Sequence, residues 1–243
     1  SIIVYAKKEK KQNLLNYDAV NKILRKNKIL APQLYNEKYN KNYIEIEDFG
    51  NNTIDKILIK QKNKKLIYYK KIIDLLIILQ SIKQRKIKNF KNEIYKISKY
   101  DRRKLINEAN LFCDWYVKKN LSNSDKIKFT KEFKKIVKKL TLGLKLENNV
   151  FVHRDFHISN LMMVNNKIGV IDSQDALIGN KAYDLASLID DVRFKTSKSF
   201  KKKVYELYLN KQKKLNEDKF KNDFQIISIS RNLKVIGVFT RLA

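Results

Sequence analysis

The sequence predicts an α+β fold in two unequal parts: a small β-rich part with one helix, ending near Gly50, and a larger, mostly helical part into which strands return late in the chain. Three observations carry this prediction. Short β-rich runs at residues 1–6 and 43–47 flank a single segment of helical periodicity. From residue 51 to 144 apolar residues recur at helical spacing. The window 148–176, NNVFVHRDFHISNLMMVNNKIGVIDSQDA, then breaks that pattern with short apolar runs separated by polar turns.

Residues 1–6, Ser-Ile-Ile-Val-Tyr-Ala, read as a strand with no preceding turn or cap, so the sequence is expected to begin inside a domain. Leu15, Ala19, Ile23 and Leu24 recur near the helical period over residues 14–28. That helix must end before Ala31-Pro32, because proline lacks an amide hydrogen and its ring blocks continuation. A strand pair is expected near Leu34-Tyr35 and over 43–47, closed by Asp48-Phe49-Gly50. Beyond it, helices are expected over 54–59, 66–87, 103–120 and 125–142. The apolar run over 72–79 is interrupted by Asp74 and flanked by lysines; it fits a buried helix and falls short of the ~20 residues a membrane span needs. In the last of these helices Ile127, Phe133, Ile136, Val137 and Leu140 form one stripe expected to face the core, and Ser122-Asn123-Ser124 offer N-caps. Within the window, 150–152, 161–164 and 168–171 read as strands, with turns at 153–160 and 165–167. There is no internal repeat or proline-rich linker, and Pro32 is the only proline. The boundary between the parts, 1–50 and 51–243, is therefore expected to be a short hinge at Gly50.

Hydrophobic residues make up 43% of the chain, enough to fill a sizeable core, and the formal net charge is +29. A field of that size attracts polyanions without specificity. Here, however, lysines are scattered along the whole chain among Asn, Ile and Tyr, as an AT-rich coding sequence would produce. No aromatic-and-arginine platform or zinc-finger spacing accompanies them, so the lysines read as solvated surface and no specific nucleic-acid partner is expected. The single Cys113 cannot form an internal disulfide, and no leader or spanning segment is visible. A cytoplasmic protein with a small-molecule partner and no membrane partner is expected.

Phosphoryl transfer asks a protein chiefly for positioning and charge stabilisation: a carboxylate near the incoming hydroxyl, and oxygen ligands for magnesium at the triphosphate. Magnesium keeps an octahedral oxygen shell and takes few protein ligands. His153-Arg154-Asp155-Phe156-His157-Ile158-Ser159-Asn160 fits the H-R-D-x-x-x-x-N pattern, with Asp155 as hydroxyl acceptor and Asn160 as a metal ligand. Asp172, after the strand at 168–171, supplies the second metal ligand. A plain surface turn also favours Asp and Asn. Three matched positions at two matched spacings, with strands on both sides, favour the catalytic reading. At an ordinary pKa near ~3.9 Asp155 is ionised at pH 7 and is a weak base, so its work is orientation of the hydroxyl and late proton uptake. Arg154 would neutralise or brace the loop, His153 would support it, and His157 reads as a packing or hydrogen-bonding residue.

Val152-His153-Arg154-Asp155-Phe156-His157, Asn160-Leu161-Met162, residues 169–176 (Gly-Val-Ile-Asp-Ser-Gln-Asp-Ala) and Gly179-x-x-x-Tyr183-Asp184-Leu185-Ala186-Ser187-Leu188 together resemble the aminoglycoside phosphotransferase and choline kinase-like family. The Tyr183-Asp184-Leu185-Ala186 segment stands where protein kinases carry Ala-Pro-Glu, which favours the small-molecule branch. Glu108-x-x-x-Phe112-x-x-Trp115-Tyr116, Gln174-Asp175-Ala176 and the pattern from Arg231 to Leu242 further resemble a bacterial subgroup, the anomeric kinases of cell-wall amino sugars. Those enzymes phosphorylate N-acetylmuramate and N-acetylglucosamine at C1 in peptidoglycan recycling. The resemblance implies a two-lobed, protein-kinase-like fold with magnesium and ATP as co-substrate between the lobes. It implies an adenine hinge at Glu47-Asp48-Phe49, and Asp184 as a buried group that orients the catalytic loop. Gln174, Asp175 and Glu108 are the candidate acceptor contacts, while Phe112, Trp115 and Tyr116 are expected as helix core.

Two departures accompany the resemblance. No glycine precedes Gly50, so either the phosphate-covering hairpin lies outside this sequence or phosphate is covered by other means; the first is expected, with the small lobe incomplete. Lys7, or its neighbour Lys8, ends the first strand where a phosphate-pairing lysine would stand, and its only candidate partner on the following helix is Asp18. Rival readings are a kinase of choline, homoserine or an aminoglycoside, and a nucleotide-binding pseudokinase. The positive charge favours an anionic acceptor over a polycationic one.

Overall fold

The structure, a computed structural model, describes residues 1–243. Strands β1 (Ile2–Tyr5), β2 (Leu34–Lys38) and β3 (Tyr43–Ile46) form an antiparallel sheet in the order β1-β3-β2. Helix α1 (Gln12–Lys26) lies between this sheet and the rest of the molecule. Its Leu14 and Tyr17 pack with Ile44 and Ile46 of β3, and its Val20, Ile23 and Leu24 enter the main core. A helix apolar on two sides is one buried between two layers.

Gly50, at φ +74, turns the chain into α2 (Ile54–Lys60) and α3 (Lys65–Ser81). Ile72, Ile73, Leu76 and Leu79 of α3 are fully buried, each worth about 1.5–3 kcal/mol in area removed from water. The helix expected over 66–87 stops at Ser81. Ile82 takes ψ 121, outside helical space. Arg85 then donates to the carbonyls of Ile82 at 2.6 Å and Asn149 at 2.7 Å. Strands β4 (Lys86–Lys88) and β5 (Ile94–Lys96) follow as an antiparallel hairpin. Its turn is built by Asn89, whose side-chain oxygen accepts from the backbones of Lys91 and Glu93, and by Asn92 at φ +61.

The helix expected over 103–120 is likewise divided. After α4 (Arg102–Leu111), capped by Asp101, the backbone widens into a π-helical turn, Phe112–Val117, before the short α5 (Lys118–Asn120). Trp115 and Tyr116, expected in the core, are 40% and 42% exposed, because the wider turn rotates them outward. In α6 (Asn123–Leu142) Ser122 is the N-cap, but the expected inward stripe is wrong in part. Ile127 and Ile136 are 72% and 63% exposed. The contact row runs through Phe133, Val137 and Thr141 instead, with Phe133 stacked on Phe112. The helix rides on the outside of the molecule and buries only a narrow strip.

The remaining strands form two antiparallel pairs: β6 (Asn148–Val152) with β9 (Leu177–Asn180), and β7 (Leu161–Val164) with β8 (Lys167–Val170). Asn165 and Asn166 supply the two positive φ angles that a tight hairpin turn of matching twist requires. Helices α7 (Tyr183–Ile189), α8 (Lys198–Asn210) and α9 (Glu217–Leu242) complete the larger lobe. The lobes are stitched by the backbone bond from Val170 to Leu30 at 2.8 Å, and just past the hinge Met163 bonds Asn52 at the same distance. At Gly169 a Cβ would come within 2.8 Å of the Phe49 ring, so glycine is what lets that ring lie on β8. No helix is long and apolar enough to cross a membrane.

Candidate active site

The loop at 153–160 is suspended between β6 and β7, and its backbone is held from below. Asp184, at the start of α7, is fully buried and accepts from the amides of His153 at 2.7 Å and Arg154 at 2.9 Å. Burial pushes its carboxyl up to about 7, against the pull of those two amides. His153 is also fully buried, edge-on to Phe156, and burial lowers its imidazole to about 4, so it is neutral at pH 7. From α2, Asp55 accepts from Ser159 Oγ at 2.9 Å and braces the other end of the loop.

Arg154 adopts φ +80, a region a non-glycine residue keeps only when its surroundings over-determine it. Its guanidinium donates through Nε at 3.0 Å and Nη2 at 2.5 Å to Glu108 Oε1 on α4, and lies 3.3 Å from the Asp175 carboxylate. The second oxygen of Glu108 receives Tyr100 at 2.6 Å, Tyr183 at 3.2 Å and the Lys234 ammonium at 3.3 Å. Burial alone would raise Glu108; Lys234 and Arg154 outweigh it and hold the carboxyl below its usual value. Sequence reasoning suggested Glu108 as an acceptor contact. The structure has both its oxygens occupied by the protein's own donors, which makes it the hub of a network that fixes Arg154. Tyr100, Tyr183 and Lys234 went unrecognised as its partners, since no spacing rule links residues so far apart in sequence.

Asp155 follows Arg154. Burial would raise its carboxyl, but Lys234 and Arg231, both on α9, help to outweigh that and hold it below the ordinary range, so it is ionised. Arg231 is itself buried, its guanidinium 5.7 Å over the Tyr183 ring. Asn160 Nδ2 donates to the Asp155 carbonyl at 3.1 Å, which commits the amide nitrogen inward and leaves the amide oxygen unspent. The Ile171 amide donates to the Asn160 carbonyl at 3.1 Å, tying the loop to the segment that carries Asp172. Asp172 is left-handed (φ 61, ψ 39), and its carboxyl is raised by burial and by the negative charge of Asp155. Asp172, near enough to Asp155 to feel its charge, and Asn160 could offer carboxylate and amide oxygens of the hard kind that a magnesium-sized dication takes.

Two cavities flank this segment. The first, about 460 Å³, lies between the lobes and is lined by Lys7, Glu47, Asp48, Phe49, Met162 and Asp172, among others. Lys7 is exposed at its rim, and the pairing expected with Asp18 is not made: Asp18 is taken by Lys22 of its own helix at 2.8 Å. At the expected hinge, the Glu47 amide is spent on Gln33, and the Asp48 side chain accepts from the Gly50 amide at 2.7 Å. The second cavity, about 530 Å³, holds Asn16, Tyr95, Glu108, Arg154, Gln174 and Asp175 in its wall. Gln174 lines both cavities. The structure thus brings the expected nucleotide residues to one cavity and the expected acceptor residues to the other.

A sequence profile of the phosphotransferase enzyme family matches residues 4–217. An N-acetylmuramate/N-acetylglucosamine kinase of Neisseria meningitidis serogroup B is 29% identical over 222 residues, covering 87% of this chain and 63% of its own length. The chain therefore spans less than two thirds of that relative. Among solved structures, choline kinase LicA of Streptococcus pneumoniae superposes with a TM-score of 0.63 at 14% identity, covering 98% of this chain and 78% of that one. The aminoglycoside phosphotransferase APH(3'')-Id of Streptomyces rimosus, in complex with ADP and streptomycin, also gives 0.63, at 12% identity, with 94% and 86% coverage. At such identities the likeness speaks for the fold, which is the two-lobed, protein-kinase-like one expected. The profile covers most of the chain, including the 153–160 loop and Asp172, and by that coverage the chain belongs to the phosphotransferase enzyme family.

Proposed function

We propose that the protein is an ATP- and magnesium-dependent kinase that transfers the γ-phosphate to a hydroxyl of a cell-wall amino sugar, the C1 hydroxyl of N-acetylmuramate or N-acetylglucosamine. The observation that carries the reading is the pair of cavities meeting at Gln174, with Asp172 on the nucleotide side and Arg154 on the other. Residues 1–50 form the nucleotide-binding lobe and 51–243 the catalytic and acceptor lobe. Adenine would lie along Glu47, Asp48 and Phe49, which line the first cavity, and Lys7 in the same wall would meet the phosphates.

Asn160 and Asp172 would hold magnesium, which supplies neutralisation of phosphate charge when bound. Asp155, ionised, accepts the hydrogen bond of the acceptor hydroxyl, aims its lone pair, and takes the proton as the bond to phosphorus forms. Arg154 is the strained neighbour whose side chain fixes Asp155 through Glu108. His153 and Asp184 hold the loop backbone.

The choice of a sugar rests on the wall of the second cavity and on the Neisseria relative's name. Asn16, Ser98, Asn107, Gln174 and Asp175 are hydrogen-bonding groups suited to hydroxyl and acetamido substituents. Tyr95 is the only aromatic side chain in that wall, whereas a choline site calls for a cage of several rings around the cation. Cytoplasmic action in peptidoglycan recycling follows from this acceptor class and agrees with a lone, buried, unpaired Cys113.

The test is steady-state turnover of magnesium-ATP by the full-length protein with N-acetylmuramate, N-acetylglucosamine, choline, homoserine and kanamycin. Amino-sugar kcat/KM should exceed the others by at least about 100-fold, the discrimination expected when buried polar groups are left unpaired by the wrong ligand. Equal or better turnover of choline or kanamycin would overturn the acceptor assignment.

A further inference from the structure

Asp172 keeps its left-handed backbone immediately before a single 3-10 turn, Ser173–Asp175. In protein kinases the residue after the metal-binding aspartate is a large apolar one; in this chain it is a serine, fully buried. Its hydroxyl bonds to Asn21 Oδ1 in the middle of α1 at 2.6 Å, across 152 residues of sequence. Asn21 Nδ2 in turn donates to the Pro32 carbonyl at 3.1 Å, in the segment leading to β2. These roles follow from chemistry. A carbonyl only accepts, so the amide nitrogen must face Pro32 and the amide oxygen must face Ser173, which leaves the hydroxyl as donor. Asn21 is 3% exposed and Ser173 fully buried, so the bond between them is shielded from solvent.

The ion pair expected between the first strand and α1 is not formed, since Asp18 is bound by Lys22. The polar tie from α1 to the metal-side turn is the neutral, buried Asn21–Ser173 bond. Neither residue lines the first cavity, so neither would touch a bound nucleotide.

We propose that Asn21 and Ser173 are a coupled pair of positioning residues that register α1, and the small lobe with it, on Asp172, and so set the magnesium-dependent part of nucleotide binding. The proposal rests on the phosphotransfer reading above. With either partner removed, the other is left buried without its hydrogen bond, and Asp172 loses the neighbour that holds its conformation.

The experiment is calorimetric titration of the full-length protein with ADP, with magnesium and separately in EDTA, for wild type, Asn21→Ala, Ser173→Ala, the double variant and Ser173→Thr. Each alanine variant should weaken magnesium-ADP binding about tenfold, and the double variant should be no weaker than either single one. Affinity for ADP in EDTA should not move, and Ser173→Thr, which keeps the hydroxyl, should restore binding to within about twofold of wild type. In the metal-free protein Ser173→Ala should also speed amide hydrogen exchange around Asn21 in α1. Additive single effects, or equal losses with and without magnesium, would overturn the coupling while leaving the phosphotransfer reading intact. A wild-type protein that binds no nucleotide under either condition would overturn the phosphotransfer reading and this inference with it.

Discussion

Glu108 sits where four side chains meet beside the catalytic-loop candidate Arg154. One carboxylate collects an arginine, a lysine and two tyrosine hydroxyls, and its side chain is only 11% exposed. Removing one partner of a buried ion pair is costly because the remaining charges stay buried without a counter-charge. Glu108→Gln keeps the shape but leaves Arg154 and Lys234 facing one another. It is expected to lower stability by about 3 kcal/mol, read from denaturant midpoints, and to lower kcat with little change in the acceptor KM. A direct acceptor contact would behave in the opposite way, raising KM at unchanged stability. The spacing that nominates Asp155, Asn160 and Asp172 was legible because it is a local property of a short stretch of chain, while the roles given to them rest on the proposed function. Lys234 was not, because its role depends on α9 passing over α4.

At the scale of elements, the crossing of α9 over the end of α4 is what delivers Arg231 and Lys234 to Asp155. The crossing is possible because residue 237 is glycine: a Cβ there would run into the Leu111 carbonyl and the Phe112 amide, both backbone atoms that cannot swing aside. Gly237→Ala is therefore expected to destabilise by about 1–3 kcal/mol through overpacking, although alanine is the better helix former, and a denaturant titration reads the sign directly. The strands of the 148–176 window were visible as short apolar runs between Asn and Gly turns, and α1 was visible from its period and Pro32. The β4–β5 hairpin was not, because its strands are only three residues each, too short for an alternating pattern to be told from a helix end. The π-helical turn at Phe112–Val117 was hidden for a different reason: its residues have ordinary helical patterning, and its first backbone atoms pack against Gly237 of α9, far away in sequence.

The whole molecule is held by a core running through both lobes, from Val20 and Leu24 of α1 to Tyr183 and Tyr208 of the larger lobe. Both of its histidines are buried and lowered to about 4 by that burial. Each therefore contributes stability above the ordinary value of 6.5 that is lost as pH falls towards 4, on the order of 3 kcal/mol apiece. Asp184, raised by burial to about 7, works in the other direction over the same range and offsets one of them. A net loss of roughly 2–3 kcal/mol between pH 7 and pH 4 is expected from denaturant midpoints, and stability that rises on acidification would contradict these assignments. The proposed function places phosphoryl transfer beside Asp155, whose charge α9 helps to hold and whose neighbour Arg154 is fixed by Glu108. The most direct measurement is single-turnover transfer from magnesium-ATP to N-acetylmuramate by the full-length Asp155→Asn variant, with nucleotide affinity measured alongside. Transfer should fall by a factor of about 10²–10⁴ with nucleotide still bound; transfer at the wild-type rate would contradict the role assigned to Asp155.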